Sequence, residues 1–460
     1  MESDTIVAVV TPPGEGGVGI VRASGPLSGA LAESLFPRLR LPWPSHRLRH
    51  GDLVDPVSGR VLDQALGCLF RGPRSYTGED VFEIHCHGSP LLLEAVLGTC
   101  LEQGCRAARP GEFTLRAFLA GRLDLSQAEA VLDLVRARTN AGLELAAGQL
   151  TGWLSGRVEP IRVELVGVLA HMEAMVDFVE DDIPPQADAA TQDALRDAGT
   201  AIARLLEGAE QGIVLREGAT LAIVGSPNVG KSSIMNGLLG QERSIVTAIA
   251  GTTRDTIQES LQVRGIPFRA VDTAGITRTD DLVEQIGIDR ARSALRTSDI
   301  VLAVFDRSRP LNGEDDLVLQ ALAETASENE RRRVVGALNK SDLPPRLGLQ
   351  ELATRVPGAR LVECSALTVG GVDALRAALE EAALGASRHE MVVSNVRHQD
   401  ALRRAGEALG VTLAGLKAGL PLDLISFDVR AAVQALGEIT GANVTEELLD
   451  RIFRDFCIGK

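Results

Sequence analysis

The stretch ATLAIVGSPNVGKSSIMNGLLG, residues 219–240, decides the fold. An apolar, β-rich run ends at Gly225, a loop of small and polar residues follows, and a helix-like segment starts at Ser232. The loop fits GxxxxGK[ST] on Gly225, Gly230, Lys231 and Ser232, with Asn228, Val229 and Ser233 completing it. A loop of this shape turns several backbone N–H groups toward one point at a helix N-terminus, which suits phosphate. Lys231 then reaches the β- and γ-phosphates of a nucleotide, and the Ser232 hydroxyl is a ligand for Mg²⁺.

Four more elements follow in order. GTTRD, starting at Gly251, supplies Thr253 as a second Mg²⁺ hydroxyl. DTAG (Asp272, Thr273, Ala274, Gly275) comes after the strand-like FRAV, where its aspartate holds Mg²⁺ through water and its glycine amide senses the γ-phosphate. NKSD ends another strand with Asn339, Lys340 and Asp342. The Asp342 carboxylate can accept both the N1–H and the exocyclic amine of guanine, a pair adenine does not offer, so it selects GTP. CSAL brings Ser365, Ala366 and Leu367 to the guanine O6. Ile276 stands just after DTAG, where Ras-like enzymes keep a water-orienting glutamine, so hydrolysis must use other residues.

The 460 residues exceed one ordinary core and suggest about three domains. With 45% hydrophobic and 24% charged residues, the chain has the balance of a soluble globular protein. No apolar run approaches the ~18 residues of a membrane span. The start, MESDTIVAVV, lacks the basic region of a secretory signal, so the reading is cytoplasmic with no membrane role. A net charge of −15 sets the surface as a whole against phosphate backbones, and any nucleic-acid contact is local. The six cysteines form no CxxC pair, and HCH (His85 to His87) reads as a strand end with no second ligand pair.

Residues 1–120 mix strand-like runs (TIVAVV, VGIVRA, DVFEIHC) with turns and read as an α/β domain. Residues 121–217 turn to helical periodicity, 218–384 alternate strands and helices as in a mainly parallel sheet, and 385–460 are helical again. The fold class is therefore α/β plus α: a nucleotide domain inserted into a helical domain formed from two chain segments.

GSPNVGKS, IAGTTRD and DTAG resemble the TrmE-Era-EngA-like P-loop GTPases. The flanking TIVAVVTPPGEGGVGIVRASG, SYTGEDVFEIHCHG, ARPGEFTLRAFLAGRLDLSQAEAV and terminal FCIGK resemble, more narrowly, the MnmE/TrmE family of tRNA-modification GTPases, over essentially the whole chain. That resemblance implies a Ras-like GTPase domain, stimulated by K⁺, whose copies meet across a homodimer. It assigns Asn228 as a side-chain K⁺ ligand and Thr247, Ile249 and Thr252 to the loop over the ion, with Ala248, Ala250 and Gly251 in the same nucleotide-contacting segment. K⁺ there neutralises charge developing between the β- and γ-phosphates, as an arginine finger does elsewhere. Glu284 in DLVEQIG is implied to position the water.

The resemblance further implies an N-terminal dimerisation domain of folate-binding type. It would hold 5-formyl- or 5,10-methylene-tetrahydrofolate through Arg22, Glu83, Arg122 and Lys460. Arg122 departs from the family, which more often has Lys there, so the cofactor's charge partner is kept while its geometry changes. The implied reaction adds an aminomethyl or carboxymethylaminomethyl group to C5 of the wobble uridine in the tRNA anticodon region. The implied partner is the flavoprotein MnmG, carrying FAD and NADH, in a heterotetramer. The chain is not expected to carry a dinucleotide site of its own, which fits a two-protein enzyme. The alternative is an Era- or EngA-like switch in ribosome assembly; the acidic balance and the N-terminal block speak against it.

Cys457, four residues from the end, has the spacing of a prenylation box, but CIGK ends in Lys and carries Gly at its second middle position. EELLDRIFRDF sets Leu448, Leu449, Ile452, Phe453 and Phe456 on one helical face, expected to pack inward and bring the tail toward the folate pocket. Two readings of Cys457 stand at this point: a catalytic thiol, which the resemblance supports, or a buried, inert one.

Overall fold

The computed structural model describes residues 4–177, 189–239, 259–271, 295–326, 333–385 and 391–460. The N-terminal third runs β1 (Ile6–Val9), β2 (Gly16–Ser24), α1 (Ser28–Leu35), β3 (Leu48–Val54), β4 (Val61–Phe70), β5 (Val81–Gly88), α2 (Pro90–Glu102), β6 (Arg106–Ala107) and α3 (Glu112–Leu119). Helices α4 (Leu125–Arg136), α5 (Asn140–Leu150), α6 (Ser155–Asp177), α7 (Ala189–Leu206) and α8 (Ala209–Glu217) follow. Next come β7 (Ala219–Val224), α9 (Lys231–Leu239), β8 (Glu259–Val263), β9 (Ile266–Val271), β10 (Ile300–Asp306), α10 (Gly313–Ala326), β11 (Arg333–Asn339), α11 (Leu349–Arg355), β12 (Arg360–Glu363) and α12 (Asp373–Leu384). The chain closes with α13 (Val396–Lys417), α14 (Leu422–Thr440) and α15 (Glu446–Arg454).

The described chain divides into two compact units, Met1–Leu132 with Gln149–Ala174 and Val429–Lys460, and Asp133–Gly148 with Met175–Asp428. In the first unit six strands run in the order β3-β4-β5-β2-β1-β6, antiparallel except for β1 beside β6. Strand alternation sends Val7, Val21, Ala65, Phe82 and Ile84 into one core with Leu31 and Leu35 of α1 and Val96 and Cys100 of α2. Phe36, Trp43 and Phe82 meet edge to face there, with ring centroids 5.6 to 6.1 Å apart. The same alternation puts Arg22 and Glu83, paired in register, on the opposite face. Thr445 caps α15, its hydroxyl accepting from the Leu448 amide at 3.3 Å, and Phe453 and Phe456 pack with Leu125 and Ala128 of α4. The helix stops at Arg454, so Phe456 joins this cluster from beyond its last turn.

The second unit holds a sheet in the order β12-β11-β10-β7-β9-β8, parallel except for β8. Every residue of β10 is buried, as expected of a central parallel strand covered on both faces. Leu302 and Val304 face one core and Val301, Ala303 and Phe305 the other. The β8–β9 hairpin turns at Arg264 and Gly265, both at positive φ (49° and 82°), matching the primed turns that follow strand twist. Helices α7 and α13 pack on one another. The mixed α/β character and mainly parallel sheet agree with the sequence reading. No helix among the described residues is long and apolar enough to cross a membrane.

Candidate functional site

In the second unit the loop between β7 and α9, with the first turn of α9, carries the GxxxxGKS residues at the C-terminal edge of the sheet, where open α/β sheets bind ligands. Asn228, exposed, holds φ at 62°, a left-handed conformation that Asn tolerates better than most residues. Gly230 has φ 99°, and a Cβ there would overlap the Asn339 side chain, so a residue with a side chain fits neither the backbone nor the space. Lys231 Nζ donates to the Gly225 carbonyl at 2.8 Å and the Ser226 carbonyl at 2.9 Å. Burial pulls the Lys231 ammonium below the usual lysine range, and the charge of Glu314 opposes this. Ser232 and Ser233 lie exposed in the first turn of α9.

The base-side loops follow β11 and β12. Asn339 is buried; its Nδ2 donates to the Val229 carbonyl at 2.8 Å and its Oδ1 accepts from the Ala366 amide at 3.2 Å. Ser365 Oγ donates to Asp342 Oδ1 at 2.6 Å, and the Ser341 amide donates to the Cys364 carbonyl at 2.9 Å. Asp342 and Leu367 are exposed. Thus Asn228, Val229, Gly230, Lys231, Asn339, Lys340, Asp342, Ser365 and Ala366 come together on joined loops. Thr247, Ala248, Ile249, Ala250, Gly251, Thr252, Thr253, Asp272, Thr273, Ala274, Gly275 and Glu284 lie outside the described residues.

Sequence reasoning missed Ser226, Asp306, Arg309 and Asp315. Ser226 Oγ donates to Asp315 Oδ1 at 2.5 Å, and Lys340 Nζ donates to Asp306 Oδ2 at 2.6 Å. One signal was present: Asn312 and Asp315 have capping-box spacing at the start of α10.

In the first unit Arg22 Nε donates to Glu83 Oε1 at 2.8 Å, and His85 Nε2 lies 3.1 Å from Glu83 Oε2. Burial pushes the Glu83 carboxyl up, but the His85 hydrogen bond and the Arg22 charge outweigh it and hold the group below the usual carboxylate range. The Arg22 guanidinium sits 5.7 Å from the ring centroids of both Tyr76 and Phe113. Tyr76 and Arg122 line an open surface pocket of about 380 Å³ with His46, Phe70, Arg74 and Ser75. Neither Tyr76 nor Phe113 stood out in the sequence.

The tail folds back onto this unit. The amides of Gly111 and Phe113, at the start of α3, donate to the carbonyls of Cys457 and Lys460 at 3.3 and 3.2 Å. Gly459, at φ 97°, lies so close to β1 that a Cβ would come within 2.7 Å of the Val9 carbonyl. Phe113 therefore touches Arg22 with its ring and the tail with its amide. Cys457 is exposed, which removes the reading of a buried cysteine.

Residues 5–122 match the family described as GTP-binding protein TrmE N-terminus, and residues 125–457 match the MnmE helical domain. The chain belongs to the MnmE (TrmE) family. The tRNA modification GTPase MnmE of Chloroflexus aurantiacus is 46% identical over 467 residues, covering 100% of each chain. Its MnmE counterparts in Roseiflexus sp. and Geobacter metallireducens are 45% and 44% identical, each covering 99% of both chains. The solved G domain of the T. maritima FeoB iron transporter is 25% identical and covers 36% of this chain and 98% of that one, with a TM-score of 0.26. Membership in the MnmE family agrees with the resemblance drawn from the motifs.

Proposed function

We propose that this chain is a GTP hydrolase of tRNA modification. With the flavoprotein MnmG, it installs an aminomethyl or carboxymethylaminomethyl group on C5 of the wobble uridine. The observation that supports this best is the full-length likeness to tRNA modification GTPases together with the joined phosphate and guanine loops. The functional division follows residues 1–120, 121–217, 218–384 and 385–460.

In this reading Asp342, braced by Ser365, accepts the guanine edge, and Ala366 and Leu367 face its carbonyl side. Lys231 moves from its two carbonyl partners to the β- and γ-phosphates; both partners are neutral, so the exchange strands no charge. The exposed Ser232 hydroxyl suits oxygen-loving Mg²⁺, with Thr253 as the second hydroxyl ligand and Asp272 holding the ion through water. The exposed Asn228 side-chain carbonyl suits K⁺, with Thr247, Ile249 and Thr252 around it. The metals, when bound, neutralise charge developing on the phosphates. Glu284 holds the attacking water in line, taking the place of the glutamine that Ile276 does not supply.

Glu83, ionised and aimed by Arg22 and His85, is an acceptor pair for a pterin, and Arg122 beside the Tyr76 pocket suits an anionic tail. The folate, when bound, supplies the one-carbon unit, and FAD and NADH come with the partner. In this reading Cys457, exposed on the tail, is the nucleophile. The chain works as a cytoplasmic homodimer that engages the tRNA anticodon region.

The test is mass spectrometry of nucleosides from bulk tRNA of a strain lacking the gene, with and without a copy carrying Cys457→Ser. Loss of C5-modified wobble uridines on deletion, unrestored by the serine copy, is the expected result. Persistence of those nucleosides would sink the modification reading and make ribosome assembly the one to test.

A further inference from the structure

Between the phosphate loop and the base-side loops of the second unit runs a chain of polar and charged side chains, of which Asp306, Arg309 and Asp315 lie outside the motifs. It starts at Ser226, whose carbonyl holds Lys231 Nζ at 2.9 Å. The Ser226 hydroxyl donates to Asp315 Oδ1 at 2.5 Å and accepts from Arg309 Nη2 at 2.9 Å. Arg309 also grips Asp315 with both terminal nitrogens, Nη1 to Oδ2 at 2.6 Å and Nη2 to Oδ1 at 3.2 Å. Its Nε lies 3.9 Å from Asp306 Oδ2, the oxygen that accepts from Lys340 Nζ at 2.6 Å. Lys340 sits between Asn339 and Asp342 with φ at 64°.

Two features make this chain rigid. Asp315 is only 1% exposed and occupies the first turn of α10. It shares a reciprocal cap with Asn312: the Asn312 amide donates to Asp315 Oδ2 and the Asp315 amide to Asn312 Oδ1, both at 3.0 Å. Asp306 closes a local turn at its other oxygen, accepting from the amide and hydroxyl of Ser308 at 2.9 and 2.6 Å. A carboxylate this buried needs all its donors, and Arg309 is the only cation it pairs with among the described residues.

We propose that Arg309 and Asp315 are positioning residues for bound guanine nucleotide. Through Ser226 on one side and Asp306 and Lys340 on the other, they keep the phosphate loop and the base loop in one register and so set the rate at which nucleotide leaves. This rests on the guanine-nucleotide reading above. The alternative is a pair that stabilises the domain and nothing more, which would leave release rates alone once the protein is folded.

The experiment is stopped-flow dissociation of N-methylanthraniloyl-GDP from the full chain and from Arg309→Ala, Arg309→Lys, Ser226→Ala and the Arg309→Ala/Ser226→Ala double variant, with thermal melts beside it. Arg309→Ala is expected to speed release by about tenfold or more, the size that follows from losing a charge-assisted hydrogen bond. Arg309→Lys should recover part of this, keeping the charge but losing the fork. The double variant should release no faster than about the quicker single one, because both cut the same chain. Release within about twofold of the parent in Arg309→Ala, or single effects that multiply in the double variant, would overturn the proposal. If Arg309→Ala does not fold, Ser226→Ala, which removes one hydroxyl, decides it on the same criterion. A parent chain that fails to bind the probe at all would instead remove the guanine-nucleotide reading, and this inference with it.

Discussion

Asn339 joins three loops with one buried amide, donating to the Val229 carbonyl at 2.8 Å while accepting from the Ala366 amide at 3.2 Å. Only a side chain with both a donor and an acceptor does this; an aspartate would set a buried carboxylate against a carbonyl. Asn339→Asp is therefore expected to weaken guanine-nucleotide affinity by about tenfold or more. A fluorescence titration with N-methylanthraniloyl-GDP checks it, and an unchanged affinity would show that the loops align without this residue.

Base choice rests on Asp342, exposed and held by Ser365 Oγ at 2.6 Å. In Asp342→Asn one acceptor oxygen becomes a donor amine, which suits xanthine in place of guanine. Competition assays should show preference moving from GTP to XTP; retained GTP preference would mean that another group reads the base.

The K⁺ assignment to Asn228 predicts a salt effect on turnover. Exchanging K⁺ for Na⁺ at constant ionic strength should lower the GTP hydrolysis rate severalfold. Asn228→Ala should abolish the difference between the two salts. Equal rates in the parent chain would dismiss the assignment.

Thiol reactivity separates Cys457 from the rest. Burial pushes the thiols of Cys86 and Cys105 up to about 11 and those of Cys100 and Cys364 to about 12, and it raises that of Cys68 as well. An aromatic disulfide reagent at mildly alkaline pH should modify one thiol per native chain quickly, and Cys457→Ser should remove that phase. Gly459→Ala, which forces the tail off Val9, should change its rate. Several equally fast thiols would contradict the burial of the other five.

Glu83 carries a pH signature. Its folded carboxyl lies below the ordinary carboxylate range, so its contribution to stability is present above the unfolded value and is lost as pH falls through the folded one. Glu83→Gln should cost about 1–3 kcal/mol at neutral pH, where Arg22 loses its partner, and this deficit should shrink below about pH 4. Melting curves of both proteins across that range read it directly. A deficit that does not vary with pH would mean that charge is not what Glu83 contributes.

The strand, loop and helix around Gly225–Ser232 were legible because each is set locally: apolar alternation, glycine placement and a helix start follow from neighbours along the chain. The base loop and the parallel sheet were legible for the same reason. Strands β3 and β4 were not singled out, since polar residues and glycine interrupt the apolar alternation in both. Arg22, Glu83 and Arg122 entered only through family resemblance; nothing in their spacing ties them together, because they lie on different strands and a loop. What tertiary structure alone decided is which distant residues share an environment. Asn339 reaches Val229 across 110 positions, Arg309 and Asp315 meet Ser226, and the tail lies on the start of α3 beside the ring that holds Arg22. A sequence encodes backbone conformation through short-range sterics and hydrogen bonding. Pairings of this kind depend on sheet order and on how helices cover its faces, and those are settled only when the whole core packs at once.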